Sequence, residues 1–393
     1  MGRHLLLAHS LQVYSYKGQY YPVYEGGFHT TQSLQQFDGY IDHVAILCQF
    51  LIPQSADDIV GRVPLEFRQI TFLDVGSRHL PRLSVIKQAV RQCDVVIARL
   101  PSTIGLLVAR EAKKQGKKIL IEVVGNEFEA LWYHSLKGKL IAYPLHWLCK
   151  SAILHADYVT YITHYYLQSV YPSNGISCDF LPNVTIDFSS LTLEDRLQRR
   201  MERHRALRGS QQMIVIGMIA SYSVRYKGHA TLFKAISRLL NKHPEIRRRM
   251  AIELVGASSS KRLEKLAKNL GIRDLVKFKG VMPNSSVLEW LDNVDVYVQP
   301  SQTEAAGRSI VEALSRGCLV ITSDVGGMRE VIDSEWRFPK DDSENFSKLI
   351  FKALNLTQSD RDSLARIGIE KSKDYDKDRI QDKRLAFTLK ALG

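Results

Sequence analysis

The chain of 393 residues is 45% hydrophobic and 24% charged, which is typical of a soluble globular protein and excludes a disordered or fibrous chain. This length suggests two domains, each large enough to bury its own core. The formal net charge of +13 indicates an anionic partner or surface, and no apolar run approaches the roughly 20 residues that a membrane-spanning helix needs.

The cysteines and the first residues indicate the compartment. The chain has five cysteines without close pairs, which is typical of buried thiols in a reducing environment. The apolar part of the opening sequence MGRHLLLAHS is too short for a secretory signal, so we expect a cytoplasmic protein. The histidines are equally dispersed, and we therefore expect no bound metal and no other cofactor.

Basic residues gather in four stretches, residues 110–118, 137–150, 196–208 and 242–249. A solvated helix face rich in lysine and arginine explains any single cluster. Nucleic acid is not expected as a partner, because no helix-turn-helix, zinc finger or RNP pattern accompanies the clusters. The cytoplasmic face of a membrane that carries an anionic, lipid-linked substrate would also attract such charge, so peripheral membrane contact stays open.

Strands and helices alternate through the first half of the chain. We predict strands at residues 5–10, 44–50, 67–75, 95–100, 119–124 and 158–162, and helices at residues 30–37, 84–92, 105–115 and 165–171. Such alternation predicts a doubly wound parallel sheet with right-handed crossovers. Residues 1–190 are therefore expected to form an N-terminal Rossmann-like domain.

Two polar turns in this half follow strands. Gly26 and Gly27 come after the first strand, where a simple loop explains them. Asn126 and Glu127 follow the strand at 119–124, either as ligand contacts or as turn residues alone.

Residues 136–154 mix aliphatic, aromatic and basic side chains around Pro144. A patch that holds Trp147 between Lys139 and Lys150 suits the headgroup boundary of a membrane or a lipid-linked acceptor. A half-buried core helix has a similar pattern, and we expect that simpler structure.

The charged stretch 191–209 has no strand pattern, and we predict that it links the two domains. Strands are then expected at residues 213–220, 251–255, 276–278, 295–299 and 319–322, with helices beginning near Gly228, at 260–269, at 284–291 and near Arg308. Residues 210–373 are expected to form a second Rossmann-like domain, followed by a C-terminal helix at 374–393.

The most informative stretch is residues 298–332, in which a strand, a polar loop and a helix precede a second strand. Gly326 and Gly327 then form a second turn from strand to helix. Two consecutive turns of this kind should lie side by side at the carboxyl edge of one parallel sheet, where such folds bind their ligands.

The residue types at that edge suit a phosphate. Gly307 has no side chain, so a phosphate can approach the free amides at the start of the helix, where Arg308 adds a cation. Glu304 and Glu312 flank the phosphate position from opposite ends. A ligand with a diphosphate between two hydroxylated rings, such as a nucleotide-sugar, would match this arrangement.

A simpler interpretation of the same residues stays open. Ser309 and Glu312 also form the pattern of a capping box, in which Glu312 stabilises the helix by about 1 kcal/mol through the amide of the N-cap residue. The Gly326-Gly327 turn alone indicates only a loop that needs positive φ.

This stretch resembles the donor site of retaining glycosyltransferases of family four, which have the GT-B fold. The resemblance is carried by Pro300, Ser301, Glu304, Gly307, Arg308, Glu312, Ala313, Gly317, Gly326, Gly327 and Glu330. The family motif has two glutamates with seven residues between them, which Glu304 and Glu312 match. The resemblance implies that Glu304 contacts the transferred sugar and that Glu312 holds the ribose hydroxyls.

Lys227 and Gly228 match the family position where a lysine binds the donor diphosphate. The family often has an arginine six residues earlier, but here that position is Ser221. Either Arg225 or Arg308 would supply the missing cation, and Arg308 is the better candidate because its neighbours fix its location.

The family often has a histidine or aspartate in the turn after the strand at 119–124, where Asn126 is our first candidate and Glu127 our second. The residues expected to be catalytic are Glu304, Lys227, Arg308 and Asn126, and those expected to bind the donor are Glu312, Gly307, Ser309, Arg225, Gly26, Gly27, Gly326 and Gly327.

The resemblance implies a GT-B fold of two Rossmann-like domains that face each other across a cleft, with the C-terminal helix packed on the first domain. It implies metal-independent, retaining transfer from a nucleotide-sugar to a glycan or lipid-linked acceptor, in cell-surface polysaccharide or lipopolysaccharide assembly. The alternatives are a sugar-nucleotide epimerase or hydrolase on a similar scaffold, and a non-enzymatic basic protein that binds nucleic acid or membranes.

Overall fold

The structure is a computed structural model that describes residues 3–23, 39–55, 58–59, 62, 64–65, 69–77, 79–206 and 213–393. The chain divides into two units. The first comprises the described parts of Met1–Phe128, Tyr143–Leu181 and Arg379–Gly393, and the second comprises Glu129–Ala142 and the described parts of Pro182–Asp378.

The first unit is built on one sheet, with the order β4-β3-β1-β5-β6-β7-β8 among the described residues. Its strands are β1 (His4–Tyr16), β2 (Gln19–Pro22), β3 (His43–Leu51), β4 (Ile70–Asp74), β5 (Val95–Leu100), β6 (Lys118–Val123), β7 (Tyr158–Tyr161) and β8 (Ile176–Cys178). All neighbours pair in parallel except β2, which pairs antiparallel with β1. Among the described residues, the strand predicted at 67–75 covers Ile70–Asp74, and the strand predicted at 158–162 ends at Tyr161.

The helices of the first half are α1 (Leu83–Gln92), α2 (Thr103–Lys114), α3 (Glu127–His134), α4 (Leu136–Leu154) and α5 (Tyr166–Val170). Helix α2 begins two residues earlier than predicted because the Ser102 hydroxyl accepts the Gly105 amide at 2.9 Å and acts as its N-cap. The helix predicted at residues 30–37 lies outside the described residues.

The second unit has a parallel sheet with the order β11-β10-β9-β12-β13-β14. Its strands are β9 (Ile214–Ile219), β10 (Met250–Val255), β11 (Val276–Gly280), β12 (Val296–Gln299), β13 (Leu319–Ser323) and β14 (Arg337–Phe338). Its helices are α6 (Leu193–Ala206), α7 (His229–Lys242), α8 (Lys261–Asn269), α9 (Asn284–Asp292), α10 (Arg308–Ser315), α11 (Met328–Val331), α12 (Ser343–Leu354) and α13 (Gln358–Ser372), and α14 (Lys377–Leu392) follows. Continuous apolar strands are expected here, since helices pack on both faces of such a sheet.

Helix α6 occupies the stretch for which the sequence predicts a linker. Its Arg200 is among the most completely buried large side chains and donates to the carbonyl oxygens of Leu291, Val294 and Arg316 at 2.9, 2.7 and 2.8 Å. These carbonyls lie at or just beyond the carboxyl ends of α9 and α10, where the hydrogen bonds within a helix run out. The sequence pattern hides this helix because charged side chains, rather than an apolar stripe, pack it against the unit.

The last helix contributes its residues from Arg379 onward to the first unit. Its Arg384 donates to Glu122 Oε1 at 3.0 Å, and Arg99 lies 2.7 Å from Glu122 Oε2. Burial opposes ionisation of Glu122, but the charges of Arg99 and Arg384 outweigh it and lower the pKa of Glu122 to about 2. Within the described ranges, none of the helices has both the length and the apolarity needed to cross a membrane.

Candidate active site

The carboxyl ends of β9 and β12 lie side by side in the second unit, at the point where the strand order reverses. In open α/β sheets such a reversal leaves a crevice that binds ligands. All four residues of β12 are buried, and a loop follows it before α10 begins. The residues after these two strands therefore form the candidate site.

The turn after β9 approaches the loop after β12 so closely that only glycine fits at one position. Gly228 has φ +86°, and a Cβ there would lie 1.8 Å from the Pro300 carbonyl oxygen. The Gln302 amide donates to the Tyr226 carbonyl at 2.7 Å, which fixes the two segments to each other. This packing holds Lys227 at the carboxyl edge of the sheet.

Glu304 receives three hydrogen bonds on one of its two carboxylate oxygens. Oε1 accepts from Lys227 Nζ at 2.6 Å, from Ser301 Oγ at 2.9 Å and from Gln299 Nε2 at 3.2 Å. No described residue donates to Oε2. The carboxylate is thus fixed by one oxygen, while the other can accept from a ligand.

This network continues inward through buried polar side chains. Tyr297 OH lies 3.0 Å from Gln299 Oε1 and 2.8 Å from Ser309 Oγ. A phenol has a single proton, so Tyr297 donates to Gln299 and receives a hydrogen bond from Ser309. Burial raises the pKa of Tyr297 and keeps it protonated. The start of α10 is thereby connected to Glu304 by an unbroken series of hydrogen bonds.

Gly307 is the N-cap of α10 and has φ +57°, the left-handed conformation that favours glycine. A Cβ there would lie 2.6 Å from Met328 Cε, so the end of the Met328 side chain would have to move. The amides of Arg308 and Ser309 precede the first bond within the helix, in which Ile310 donates to the Gly307 carbonyl at 2.9 Å. These amides can receive an anion, and the exposed Arg308 side chain lies beside them.

Glu312 does not cap its helix, so the capping-box interpretation is wrong. The N-cap is Gly307 rather than Ser309, whose hydroxyl bonds Tyr297 instead. Burial raises the pKa of the Glu312 carboxyl, and the charge of Arg308 offsets this only in part. A partly buried carboxylate to which no described residue donates a hydrogen bond is suited to binding hydroxyl groups of a ligand.

The two glycines of the second turn have different roles. Gly326 has φ +46°, whereas Gly327 has ordinary helical angles. The Gly327 amide donates to the Glu304 carbonyl at 3.2 Å, so this N–H supports the loop and is not open to a phosphate. For Gly327, the structure therefore favours a supporting contact over the predicted ligand contact.

A cation that the sequence did not identify lies beside Ser221. The Ser221 hydroxyl lies 3.1 Å from Ser223 Oγ, and Arg262 Nη2 donates to the neighbouring Tyr222 carbonyl at 3.2 Å. Burial lowers the pKa of His229 to about 4, and the charges of Arg262 and Lys227 both contribute. Arg262 and Lys227 therefore act on the same imidazole, whereas Arg225 is exposed, two residues before Lys227.

The remaining predicted residues belong to the first half of the chain. Asn126 lies in the turn after β6, where its Nδ2 donates to Tyr166 OH at 2.9 Å. Burial raises the pKa of Glu127, whose charge acts on the buried thiol of Cys149. Asn126 and Glu127 are both partly buried. Gly26 and Gly27 lie outside the described residues.

Sequence reasoning missed Tyr297, Gln299 and Arg262. A glutamine inside the apolar run of β12 is an available signal, because a buried amide needs several hydrogen-bond partners. Arg262 gives no such signal, because its helix lies far from the motif in sequence. Among the described residues, no group of three or more histidine, cysteine, aspartate or glutamate side chains lies together as a metal site would require.

Comparison with solved structures defines the class. Sucrose-phosphate synthase from Thermosynechococcus elongatus matches with a TM-score of 0.71 at 16% identity, over 100% of both chains. HepE from Anabaena, in complex with UDP and glucose, matches with a TM-score of 0.67 at 16% identity, also over 100% of both chains. The fold is that of the GT-B glycosyltransferases, and the predicted fold class is confirmed.

Sequence comparison then gives the family. Residues 202–371 match the family described as glycosyl transferases group 1. The chain is 30% identical over 363 residues to protein CapJ of Staphylococcus aureus, an alignment that covers 89% of this chain and 86% of CapJ. The chain belongs to the group 1 glycosyltransferases. It is an enzyme, and the alternative of a non-enzymatic binding protein is wrong.

Proposed function

We propose that the chain is a retaining glycosyltransferase of family four that needs no metal and binds a nucleotide-sugar at the carboxyl edge of the second sheet. The observation that carries this proposal is the contact of Lys227 with Glu304 beside the open start of α10. Cation, carboxylate and free amides converge there on a space suited to a sugar diphosphate.

Glu304 would position the sugar rather than attack it. Lys227, Ser301 and Gln299 hold its Oε1, which leaves Oε2 to accept a sugar hydroxyl. A carboxylate held from three sides has little freedom to approach the anomeric carbon. The acceptor oxygen would therefore replace the departing phosphate oxygen on the same face of the sugar, so the configuration is retained.

The departing diphosphate would be stabilised by charge supplied from the protein. Lys227, Arg308 and the first amides of α10 supply positive charge, an electrostatic role in which one well-placed donor contributes about 3 kcal/mol. We assign the place of the missing family arginine to Arg262, because its guanidinium lies at the turn that carries Ser221. These side chains are the reason that we expect no requirement for a metal.

Glu312 would bind the ribose diol, since two hydroxyl donors would satisfy its partly buried carboxylate. The nucleotide to test first is UDP, because the HepE structures contain UDP and UDP-glucose. We propose a glycan or lipid-linked acceptor and a role in cell-surface polysaccharide synthesis. All five cysteines are free thiols, which supports a place in the reducing cytoplasm. We propose that the enzyme also contacts the membrane peripherally.

The decisive test is a thermal-shift panel of nucleoside diphosphates and their sugars. We expect one base to raise the melting temperature, and the matching nucleotide-sugar to be consumed without added metal. The anomeric configuration of the product, read by NMR, should equal that of the donor. Lack of response to every nucleotide would contradict the proposed site, and inhibition by a chelator that manganese reverses would contradict metal independence.

A further inference from the structure

Helix α4 exposes large apolar side chains to solvent. Leu136 is 81% exposed, Leu140 80%, Tyr143 63% and Trp147 68%. We call these four residues the α4 face. The helix is half-buried, as the sequence predicts, but its exposed side carries the large apolar residues of the α4 face. Isolated exposed apolar residues are normal, but a contiguous group of this kind marks an interaction surface.

The four side chains form one stripe. They are spaced at i, i+4, i+7 and i+11, so they lie on the same side of the helix over about 16 Å of its length. The opposite side is formed by Ala142, Cys149 and Ile153, which are all buried. The helix is therefore packed by one face, while a second apolar face points away from the protein.

The charges on this helix have one sign. Its sequence LKGKLIAYPLHWLCKSAIL contains Lys137, Lys139 and Lys150 and no aspartate or glutamate. All three lysines are exposed, and Lys139 Nζ lies 4.9 Å from the centre of the Trp132 ring. Lys139 and Lys150 lie on one side of the α4 face and Lys137 lies on the other, so basic groups border it.

We propose that the α4 face docks on an anionic lipid bilayer, with the helix lying in the plane of the headgroups. Leu136, Leu140 and Trp147 would enter the boundary between headgroups and acyl chains, and the lysines would pair with anionic headgroups. Tryptophan and tyrosine favour this boundary because their rings are apolar and carry one polar group.

Charge distinguishes a bilayer from a second copy of the chain. In a two-fold dimer the same surface meets itself, so the lysines of one copy would face those of the other. Such like charges repel, with no acidic residue on the helix to compensate. An anionic membrane complements both the apolar stripe and its basic border.

This inference rests on the proposed function in one respect: a lipid-linked acceptor is the reason for the enzyme to bind a membrane. The contact itself uses no donor-site residue. Donor binding and membrane binding can therefore fail separately, and both are measured on the same full-length protein.

The test is flotation of the full-length protein with phosphatidylcholine vesicles, with and without phosphatidylglycerol. One variant combines Leu140→Ser with Trp147→Ser, and another combines Lys137→Gln with Lys150→Gln. The controls are Leu80→Ser, at a residue that is 84% exposed outside α4, and Lys87→Gln, at an exposed lysine of α1. Thermal shift with UDP checks that every variant keeps its donor response.

We expect the wild type to float with anionic vesicles and to bind neutral ones at least about tenfold more weakly. The Leu140 and Trp147 variant should bind anionic vesicles at least about tenfold more weakly than the wild type. The lysine variant should no longer prefer anionic lipid, and its vesicle binding should no longer depend on salt. Both controls should behave as wild type.

Three results would overturn the proposal. The wild type would fail to bind anionic vesicles, the Leu140 and Trp147 variant would bind them as the wild type does, or the Leu80 control would lose as much vesicle binding as that variant. Light scattering gives a further check. If the wild type is a dimer that does not bind vesicles, and the Leu140 and Trp147 variant is a monomer, the α4 face binds a second copy of the chain instead.

Discussion

Lys227 Nζ donates to Glu304 Oε1 at 2.6 Å, a contact that joins the turn after β9 to the loop after β12. Both side chains are partly buried, so the pair is better shielded from solvent than an ordinary surface ion pair. The pair holds each charge in position before any ligand binds. Such preorganisation is what electrostatic stabilisation of a leaving group requires.

Replacing Lys227 with alanine should lower kcat/KM for the donor about 100-fold, because the departing diphosphate loses one positioned cation. The measurement is initial-rate kinetics with the nucleotide-sugar that the thermal-shift panel identifies. Lys234→Ala provides the control, since Lys234 is an exposed lysine of the following helix α7. Wild-type rates in Lys227→Ala would remove this residue from the site.

Glu312→Gln should weaken nucleotide binding about tenfold or more without lowering the melting temperature. Burial raises the pKa of Glu312, so ionised Glu312 lowers the stability of the folded state as the pH rises above the carboxyl's ordinary value of 4.5. The neutral glutamine escapes this cost. The stability of the variant relative to wild type should therefore increase with pH, as measured by urea unfolding of the ligand-free protein.

Two observations would contradict this assignment of Glu312. Unchanged nucleotide affinity in Glu312→Gln would exclude contact with the ribose. A melting temperature that falls at every pH would show that the carboxylate stabilises the fold, contrary to the direction of its pKa shift.

Arg262→Gln should weaken binding of the nucleoside diphosphate about tenfold, with little change for the monophosphate of the same base. The difference arises because this side chain lies at the turn beside Ser221, where the second phosphate is expected. Isothermal titration with the two nucleotides measures it. If Arg225→Gln shows that selective loss and Arg262→Gln does not, the cation has been assigned to the wrong residue.

Arg384→Met should destabilise the first unit by about 3 kcal/mol, because Glu122 keeps only one of its two buried partners. The pKa of Glu122 is lowered from 4.5 to about 2, so the ionised carboxylate stabilises the folded state above pH 4.5. This stabilisation is lost as the pH falls toward 2. The effect of the variant should accordingly shrink below pH 4.5. Lys390→Met, at an exposed position of the same helix, is the control, and an equally large effect there would contradict the explanation.

The sequence predicts the part of the site in which neighbours in the chain are also neighbours in space. Glu304, Gly307 and Arg308 belong to one loop and one helix start, and their spacing alone brings them together. Lys227 required the family resemblance, because its contact with Glu304 depends on the pairing of β9 with β12. Arg262 required the structure, since nothing in its own helix indicates a site.

Two helices show where pattern reasoning fails. Helix α6 looks like a linker because arginines and carbonyl groups replace the usual apolar contacts. Helix α4 looks like a core element because apolarity predicts burial, yet its apolar residues point in two directions. In both helices the composition alone does not determine the partner of each side chain, which depends on tertiary structure.

The burial of Arg200 also limits how the gene can be shortened. A truncation that starts at Ile214, where the first strand of the second unit begins, would remove the guanidinium that satisfies the carbonyls of Leu291, Val294 and Arg316. These buried acceptors would each lose a donor: the Leu291 and Val294 carbonyls would keep the weaker bonds from Cys318 Sγ at 3.3 Å, next to the helix that carries the donor site. The natural boundary for isolating that half of the enzyme lies ahead of Leu193.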